Sequence, residues 1–342
     1  MNESTTGSAF NTDEFKLVHS TIAKFPEKTS LAIVRIIDGQ PQFYGAIKSN
    51  NLVEQIDNRD SIYDIGSIAK TFTSAILAQQ IVDQKLSVHQ DVSELLGYPF
   101  NNGASLNLLQ LANHTSGLPR IPPNLFWALL FKNKANPYQH YDQGKLECYL
   151  QKQLKLKRPG QFIYSNLGVG ILATALCSFT GYSYEQLLQQ LICKPLGLNQ
   201  VTTSREKVKH SLIQGLSTKG VVVPYWDLGA FLGAGGVYAS ISDLATYMLA
   251  NINRTSPIFV FQQQRTASID KHMGIGLGWF IVKRQNRDKT VYFHDGGTRG
   301  FSSICFMNVD EKKGVAILSN ISAEHFLKRS LLPKLAQDLY LK

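Results

Sequence analysis

"TVYFHDGGTRGFSSICFMNVDEKKGVAILSN", residues 290–320, carries three short β-rich runs, TVYFHDG, FSSICFMNV and GVAILSN. The turns between them are too short to hold a helical crossover, so the runs should pair antiparallel. GWFIVKR, residues 278–284, precedes them as a fourth strand of the same kind. Far upstream, TSLAIVRIIDGQPQFYGAI (29–47) reads as a β-hairpin turning at Asp38-Gly39, a dipeptide favoured in tight hairpin turns.

Helical periods fill the remainder. NTDEFKLVHSTIAKF (11–25) repeats Phe15, Val18, Ile22 and Phe25 at three-to-four spacing and predicts an opening helix. From Ser67 to Leu86 the period returns with Phe72, Ile76, Leu77 and Ile81 on one side, and further helices are expected over 106–113, 167–179 and 184–193. AEHFLKRSLLPKLAQDLYL (323–341) closes the chain as an amphipathic helix despite its internal Pro333.

This order predicts an α/β (α+β) fold, an antiparallel β-sheet flanked by N- and C-terminal helices with an inserted, mainly helical domain. Residues 1–66 plus 201–342 should form the sheet-and-helix domain and residues 67–200 the mainly helical one. An active site is expected in the cleft between them. NLFWALLF is the most apolar short stretch; residues 125–131 within it read as core or cleft wall, with a lipid-facing or hydrophobic-substrate role left open.

With 342 residues, 44% hydrophobic and 18% charged, the chain has the apolar content to bury a core. No run of about eighteen apolar residues is present, so no transmembrane segment is expected. The polar MNESTTGSAFNTDEF has neither the basic head nor the apolar stretch of a signal peptide. The protein is then cytoplasmic if the N-terminus is native as written, or periplasmic or otherwise extracytoplasmic if an export signal was removed.

The net charge of +10 is dispersed in short pockets such as REKVKH and KRQNR, which argues against nucleic acid as a partner. Cys148, Cys177, Cys193 and Cys305 are widely spaced and read as reduced thiols, although an even count leaves a bridge open. The eight histidines form no H-E-x-x-H or H-x-x-E-H pattern, so neither a metal nor another cofactor is expected.

GSIAKTFTSAILAQQI (66–81) places Ser67 three residues ahead of Lys70, and residues three apart on a helix are neighbours on one face. A serine hydroxyl needs a proton acceptor to become a nucleophile. Lysine serves only if its pKa falls from ~10.4 to near 7, which requires roughly 5 kcal/mol of differential interaction from burial or a nearby cation. S-x-x-K also occurs at Ser204-Lys207 and Ser268-Lys271, but among charged residues; only Ser67 opens an apolar helix. In isolation Ser67-Lys70 is equally the first turn of a buried helix.

Two further segments bear on that choice. Tyr164-Ser165-Asn166 is the chain's single Y-x-N, with Tyr164 a candidate general base as phenolate or a proton relay through its hydroxyl. Asn166 could orient the lysine or accept a substrate amide. His294-Asp295-Gly296-Gly297 follows a strand, and its glycines let a backbone N–H approach a ligand closely. A strand edge holding Gly297 N–H opposite Ser67 N–H would make an oxyanion hole.

Together, in this order, these segments resemble the serine β-lactamase and penicillin-binding protein superfamily, in its class C β-lactamase and DD-peptidase branch. HTSGLP (114–119), KPLGL (194–198), GAGGVYASISDLATYM (233–248), GIGLGWF (274–280) and HDGGTRGFSS (294–303) all look like landmarks of that family. The resemblance implies a β-lactamase/transpeptidase-like fold. It implies Ser67 as the acylated nucleophile, Lys70 as its activating base or relay, and Tyr164 as general base and acid. Asn166 would contact substrate amide, and the amides of Ser67 and Gly297 would form the oxyanion hole, with Gly296 beside them. Many members have K-T-G where this chain has His294; histidine is mostly neutral at pH 7. His294 would contact a substrate carboxylate or pass a proton; Arg299, five residues on, is a candidate for the missing positive charge, with a solvated surface arginine as the alternative.

The expected function is that of a serine hydrolase acting through a covalent acyl-enzyme on β-lactams or D-alanyl peptides. Esterase activity on small esters, or a non-catalytic penicillin-binding module, are the alternatives. The expected partner is a small-molecule or peptide substrate, with the oligomeric state open.

Overall fold

The computed structural model describes residues 10–125, 136, 138–284, 289–322 and 330–342. In chain order the strands are β1 (Ser30–Ile37), β2 (Gln40–Ser49), β3 (Leu52–Ile56), β4 (Ile62–Asp64), β5 (Tyr238–Ser240) and β6 (Ala267–Ser268). They continue with β7 (Met273–Ile275), β8 (Phe280–Arg284), β9 (Lys289–Gly297), β10 (Ser302–Asn308) and β11 (Lys313–Ser319). Among the described residues, nine of them form one sheet in the order β3-β2-β1-β11-β10-β9-β8-β7-β6, while β4 and β5 pair separately. Every pairing between named strands is antiparallel, as the short turns of 290–320 require.

The two ends of the chain meet at the sheet's middle: Ile33 of β1 lies opposite both Tyr44 of β2 and Ile317 of β11. Asp38 and Gly39, at φ 49° and 76°, supply the two positive φ values that a tight hairpin turn demands. Alternation along the strands sends Leu31, Ile33, Val315 and Ile317 to one face, beneath the terminal helices Thr12–Ile22 and Leu331–Leu341. Ala32, Val34, Ala316 and Leu318 take the other face, against the helix Ile241–Ile252. Burial on both faces explains why β1 reads as a continuous apolar run.

The opening helix starts on a capping box, Asn11 accepting from Glu14 N while Glu14 accepts from Asn11 N. It ends at Ile22, short of the expected reach, and Phe25 packs into the same cluster from the loop. Pro333 falls in the first turn of Leu331–Leu341, where a missing N–H breaks no helical bond. Residues 323–329 of that expected helix, and residues 126–131 of the apolar stretch, lie outside the described residues; Leu125 is buried.

The helix Ala69–Val82 departs from expectation. It is buried on nearly every side, including Lys70, Thr71, Thr73 and Ser74. It runs between the helices Asn166–Thr180, Leu232–Gly235 and Pro257–Gln262. Its threonines satisfy their hydroxyls on carbonyls, Thr71 Oγ1 on Ile68 O (2.8 Å) and Thr73 Oγ1 on Gly233 O (2.6 Å). The one-sided apolar period therefore understates its burial. All four cysteines are free thiols, two of them buried. No single helix among the described residues is long and apolar enough to cross a membrane.

One buried ion pair ties the opening helix to the sheet. Arg35 of β1 meets Glu14, their side chains 8% and 1% exposed, and Arg35 also donates to Gln42 Oε1 (2.8 Å). Removing one partner strands a buried charge. Arg35→Met should lower unfolding stability by about 3–5 kcal/mol, while the Glu14→Leu/Arg35→Met pair should recover to within about 2 kcal/mol of the parent, read by urea denaturation.

Candidate active site

β4 delivers the chain into a tight turn, Gly66–Ile68, that runs straight into the helix Ala69–Val82. Asp64 Oδ1 accepts the Gly66 N–H at 2.9 Å, fixing the turn. Gly66 has φ +51°, and a Cβ there would stand 2.7 Å from Gly297 N, so both conformation and space demand glycine. Ser67 is half-buried on this turn. One helical turn on, Lys70 Nζ lies 2.9 Å from Ser67 Oγ and 2.6 Å from Ala234 O. Lys70 is fully buried, and burial, with the positive charge of Arg120 second, holds its amine well below the usual lysine range against a smaller opposing pull from Asp295.

Tyr164 is placed by a loop clamp. His114, itself at φ +61°, accepts the Ser165 N–H at Nδ1 (3.2 Å), and its carbonyl accepts the Ile163 N–H (2.8 Å). Ser165 Oγ donates to Pro119 O (2.7 Å) and caps Gly168 N (2.9 Å) at the start of the helix Asn166–Thr180. His114 thus serves the turn. Tyr164 stands close enough to Ser67 for the serine to act on its proton, and Lys70 Nζ sits 5.0 Å from its ring centre. Burial raises the Tyr164 phenol above its ordinary range, only partly offset by Ser67.

The third element comes from β9. Its pairing with β8 stops at Phe280 opposite Phe293, so beyond that point one edge of β9 is free of β8. The turn carrying Ser67 packs onto that stretch. A Cβ on Gly296 would overlap Ile65 O and Ser303 Oγ and stand 2.9 Å from Ser67 N. Ser303 Oγ, from β10, donates to Ile65 O at 2.7 Å and locks the contact. The backbone at Gly297 is thereby brought against the backbone at Gly66–Ser67.

The structure therefore gathers Ser67, Lys70, Tyr164, Gly296 and Gly297, and lines a smaller pocket beside Ser67 with Asn166, Tyr138 and Trp226. Asn166 Oδ1 is not a partner of Lys70, whose bonds go to Ser67 and Ala234. His294 differs from expectation. Only 1% exposed, its ring lies beside Phe280 and Tyr164, at centroid distances of 5.3 and 6.5 Å. Nδ1 bonds the neighbouring Asp295 carbonyl (2.7 Å), and burial lowers its pKa to about 4. An imidazole held neutral carries no charge with which to attract a substrate carboxylate, and its Nε2 has no hydrogen-bond partner among the described residues.

Arg299 is likewise not at the cleft wall. It lies half-buried in the turn closed by Thr298 N–H to Phe301 O (3.0 Å) between β9 and β10. The cleft, about 420 Å³, is lined by Ser67, Tyr164, Phe280, Trp226 and two charged residues that the sequence did not single out, Arg120 and Asp295. Arg120 follows the HTSGLP loop directly and stacks its guanidinium 5.2 Å from the Tyr164 ring centre. Asp295 was in view as the middle of H-x-G, and strand alternation alone would have set it on the face opposite His294. Among the described residues no group of His, Cys, Asp and Glu is arranged to hold a metal ion.

The chain belongs to the Beta-lactamase family, whose model matches residues 18–338. It is 26% identical over 317 residues to the D-alanyl-D-alanine-carboxypeptidase/endopeptidase AmpH of Escherichia coli, covering 84% of this chain and 77% of that one. It is 29% identical to a Beta-lactamase of Providencia stuartii, covering 85% and 82%. In structure it resembles a class C β-lactamase from Rhodobacter sphaeroides, with TM-score 0.78, 19% identity and coverage of 96% and 99%. An octameric penicillin-binding protein homologue from Pyrococcus abyssi superposes equally well, with TM-score 0.78, 22% identity and coverage of 96% and 77%.

Asp64, beneath the Gly66–Ile68 turn, offers a test of this geometry. Burial pushes its carboxyl up to about 7 from an ordinary 3.8, despite the Gly66 N–H. Between those values the folded chain keeps a proton that the unfolded chain has lost, so Asp64 lowers stability progressively as pH rises through that window. Asp64→Asn keeps an acceptor for Gly66 and removes the penalty. Its gain in stability should be small near pH 4 and approach up to about 4 kcal/mol by pH 8, from urea titrations at both ends. An equal difference at both would refute the buried placement.

Proposed function

We propose that the chain is a serine acyl-transfer hydrolase of the β-lactamase and penicillin-binding protein type, acting from the cleft between the sheet-bearing and helical parts. The observation that carries the reading is the chain of contacts Lys70–Ser67–Tyr164 set against the Gly297 backbone. A lysine held well below its ordinary range has a lone pair available near neutral pH, so Lys70 takes the Ser67 proton as Oγ attacks the substrate carbonyl. The raised phenol keeps Tyr164 protonated, which favours the relay over the phenolate base. Tyr164 then gives its phenol proton to the leaving group as it departs and takes its replacement from protonated Lys70, which returns the amine to its neutral form. The amides of Ser67 and Gly297 receive the oxyanion, and Asn166 meets the substrate's amide. Water or an amine resolves the acyl-enzyme.

The substrates we propose are β-lactams or D-alanyl peptides, the latter placing the enzyme outside the cytoplasm. The names of the AmpH and Providencia relatives support this choice. Small esters form a second reading, favoured by His294, since a neutral imidazole stands where a permanent cation would attract a carboxylate.

Incubation with a penicillin and with an activated ester, followed by intact-protein mass spectrometry, should show one acyl group on the chain, lost in Ser67→Ala. Lys70→Arg, whose guanidinium keeps its proton, should slow acylation by about 10²–10⁴-fold, with the acid limb of the parent's pH profile well below that of an ordinary lysine. Labelling that persists in Ser67→Ala sinks the assignment; no labelling at all favours a binding module.

A further inference from the structure

The carboxylate of Asp295 is the feature that the mechanism above does not use. It is exposed, lines the same cavity as Ser67, and has no ion-pair partner among the described residues. Its neighbours in sequence are fully committed: His294 is buried against Tyr164 and Phe280, and Gly296 is pressed under the Ile65–Ser67 backbone. Strand period places Asp295 on the same face as Gly297, about 7 Å along β9. A carbonyl whose oxygen sits at the Gly297 amide therefore brings the atoms two to four bonds beyond it within reach of this carboxylate.

We infer that Asp295 is a specificity-determining residue that selects substrates bearing a neutral or cationic group next to the scissile bond and disfavours those bearing a carboxylate there. The inference rests on the acyl-enzyme reading and narrows its substrates, ranking internal D-alanyl peptide bonds, amides and esters above penicillins and free C-terminal D-alanine. Two like charges brought within a few ångströms repel, and the repulsion is strongest in a cleft partly walled from water. Phe280, Trp226 and Tyr164 form such walls. The cavity's other charged side chain, Arg120, is stacked on the Tyr164 ring and has no ion pair with Asp295. The cleft thus presents a cation by Tyr164 and an anion on β9. A penicillin or a free C-terminal D-alanine carries its carboxylate within a few bonds of the reacting carbonyl. An internal peptide bond, an amide or an amine-bearing ester does not.

Binding to the Ser67→Ala protein tests this without turnover. The probes are N-acetyl-D-alanyl-D-alanine, its C-terminal amide and its 2-aminoethyl amide, followed by calorimetry. With Asp295 present, the aminoethyl amide should bind about tenfold more tightly than the acid, with the amide between them, and the preference should shrink from about 0.02 M to about 1 M salt. Asp295→Asn in the same background should bring the three affinities to within about twofold, with an unchanged melting curve showing that the fold is kept. Equal or tighter binding of the acid with Asp295 present, no measurable binding of any probe, or a preference untouched by Asp295→Asn would overturn the inference. Failure of the acyl-enzyme reading shows elsewhere, as the absence of a mass shift on the parent chain.

Discussion

The fold depends on a contact between two pieces of bare backbone. β9 loses β8 as a neighbour after Phe293, and the turn from Ile65 to Ser67 packs against the stretch beyond. The approach is closer than any side chain permits, which is why glycine stands at 66 and 296. Ser303 bridges to Ile65 O from β10, and Asp64 holds Gly66 from below. An unpaired strand end is ordinarily a liability for a sheet. Here it is covered by the turn that begins the central helix, so the same contact seals the sheet and brings the Gly297 backbone to the serine.

Burial does most of the electrostatic work at that contact. Lys70, His294 and Asp64 are each almost completely removed from water, and for each the largest influence on the proton is desolvation rather than a partner. All three are shifted toward their neutral forms: the amine and imidazole downward, the carboxyl upward. A site built this way accumulates little fixed charge beneath the serine. In the proposed reaction, a developing oxyanion would meet backbone amides at the β9 edge rather than an anion beneath the serine.

Much of this was legible in the sequence because it lives in backbone rules. Short turns over 290–320 left antiparallel pairing as the available arrangement, Asp38-Gly39 marked the hairpin, and the spacing of Ser67 and Lys70 gave their 2.9 Å contact directly. The likeness of several segments to one family pointed to the same architecture, and the family match agrees. What escaped was set by tertiary packing. The central helix is buried all round because other helices enclose it, which its own period cannot reveal. Arg299 sits in the β9–β10 turn, whereas Arg120 reaches Tyr164 from a loop remote in sequence. His294 was read for its chemistry, but strand alternation turns it inward and Asp295 outward.

That alternation separates two tasks that one residue would otherwise combine. The charges at the cleft wall act on Lys70 in opposite directions, Arg120 lowering its pKa and Asp295 raising it, and both side chains are exposed. Exposed charges are screened by water and salt, whereas the burial that leads the shift on Lys70 is fixed by the fold. The proton affinity of Lys70 is therefore set mainly by burial rather than by which charge the cleft wall presents. A change at Asp295 can alter what enters the cleft while the amine keeps the low proton affinity set by its enclosure. The inward His294 reinforces this separation: held neutral beside Tyr164, it adds no permanent charge to Lys70's surroundings. In the proposed function, charge preference for the substrate would reside on the outer face of β9, and proton transfer on the inner one.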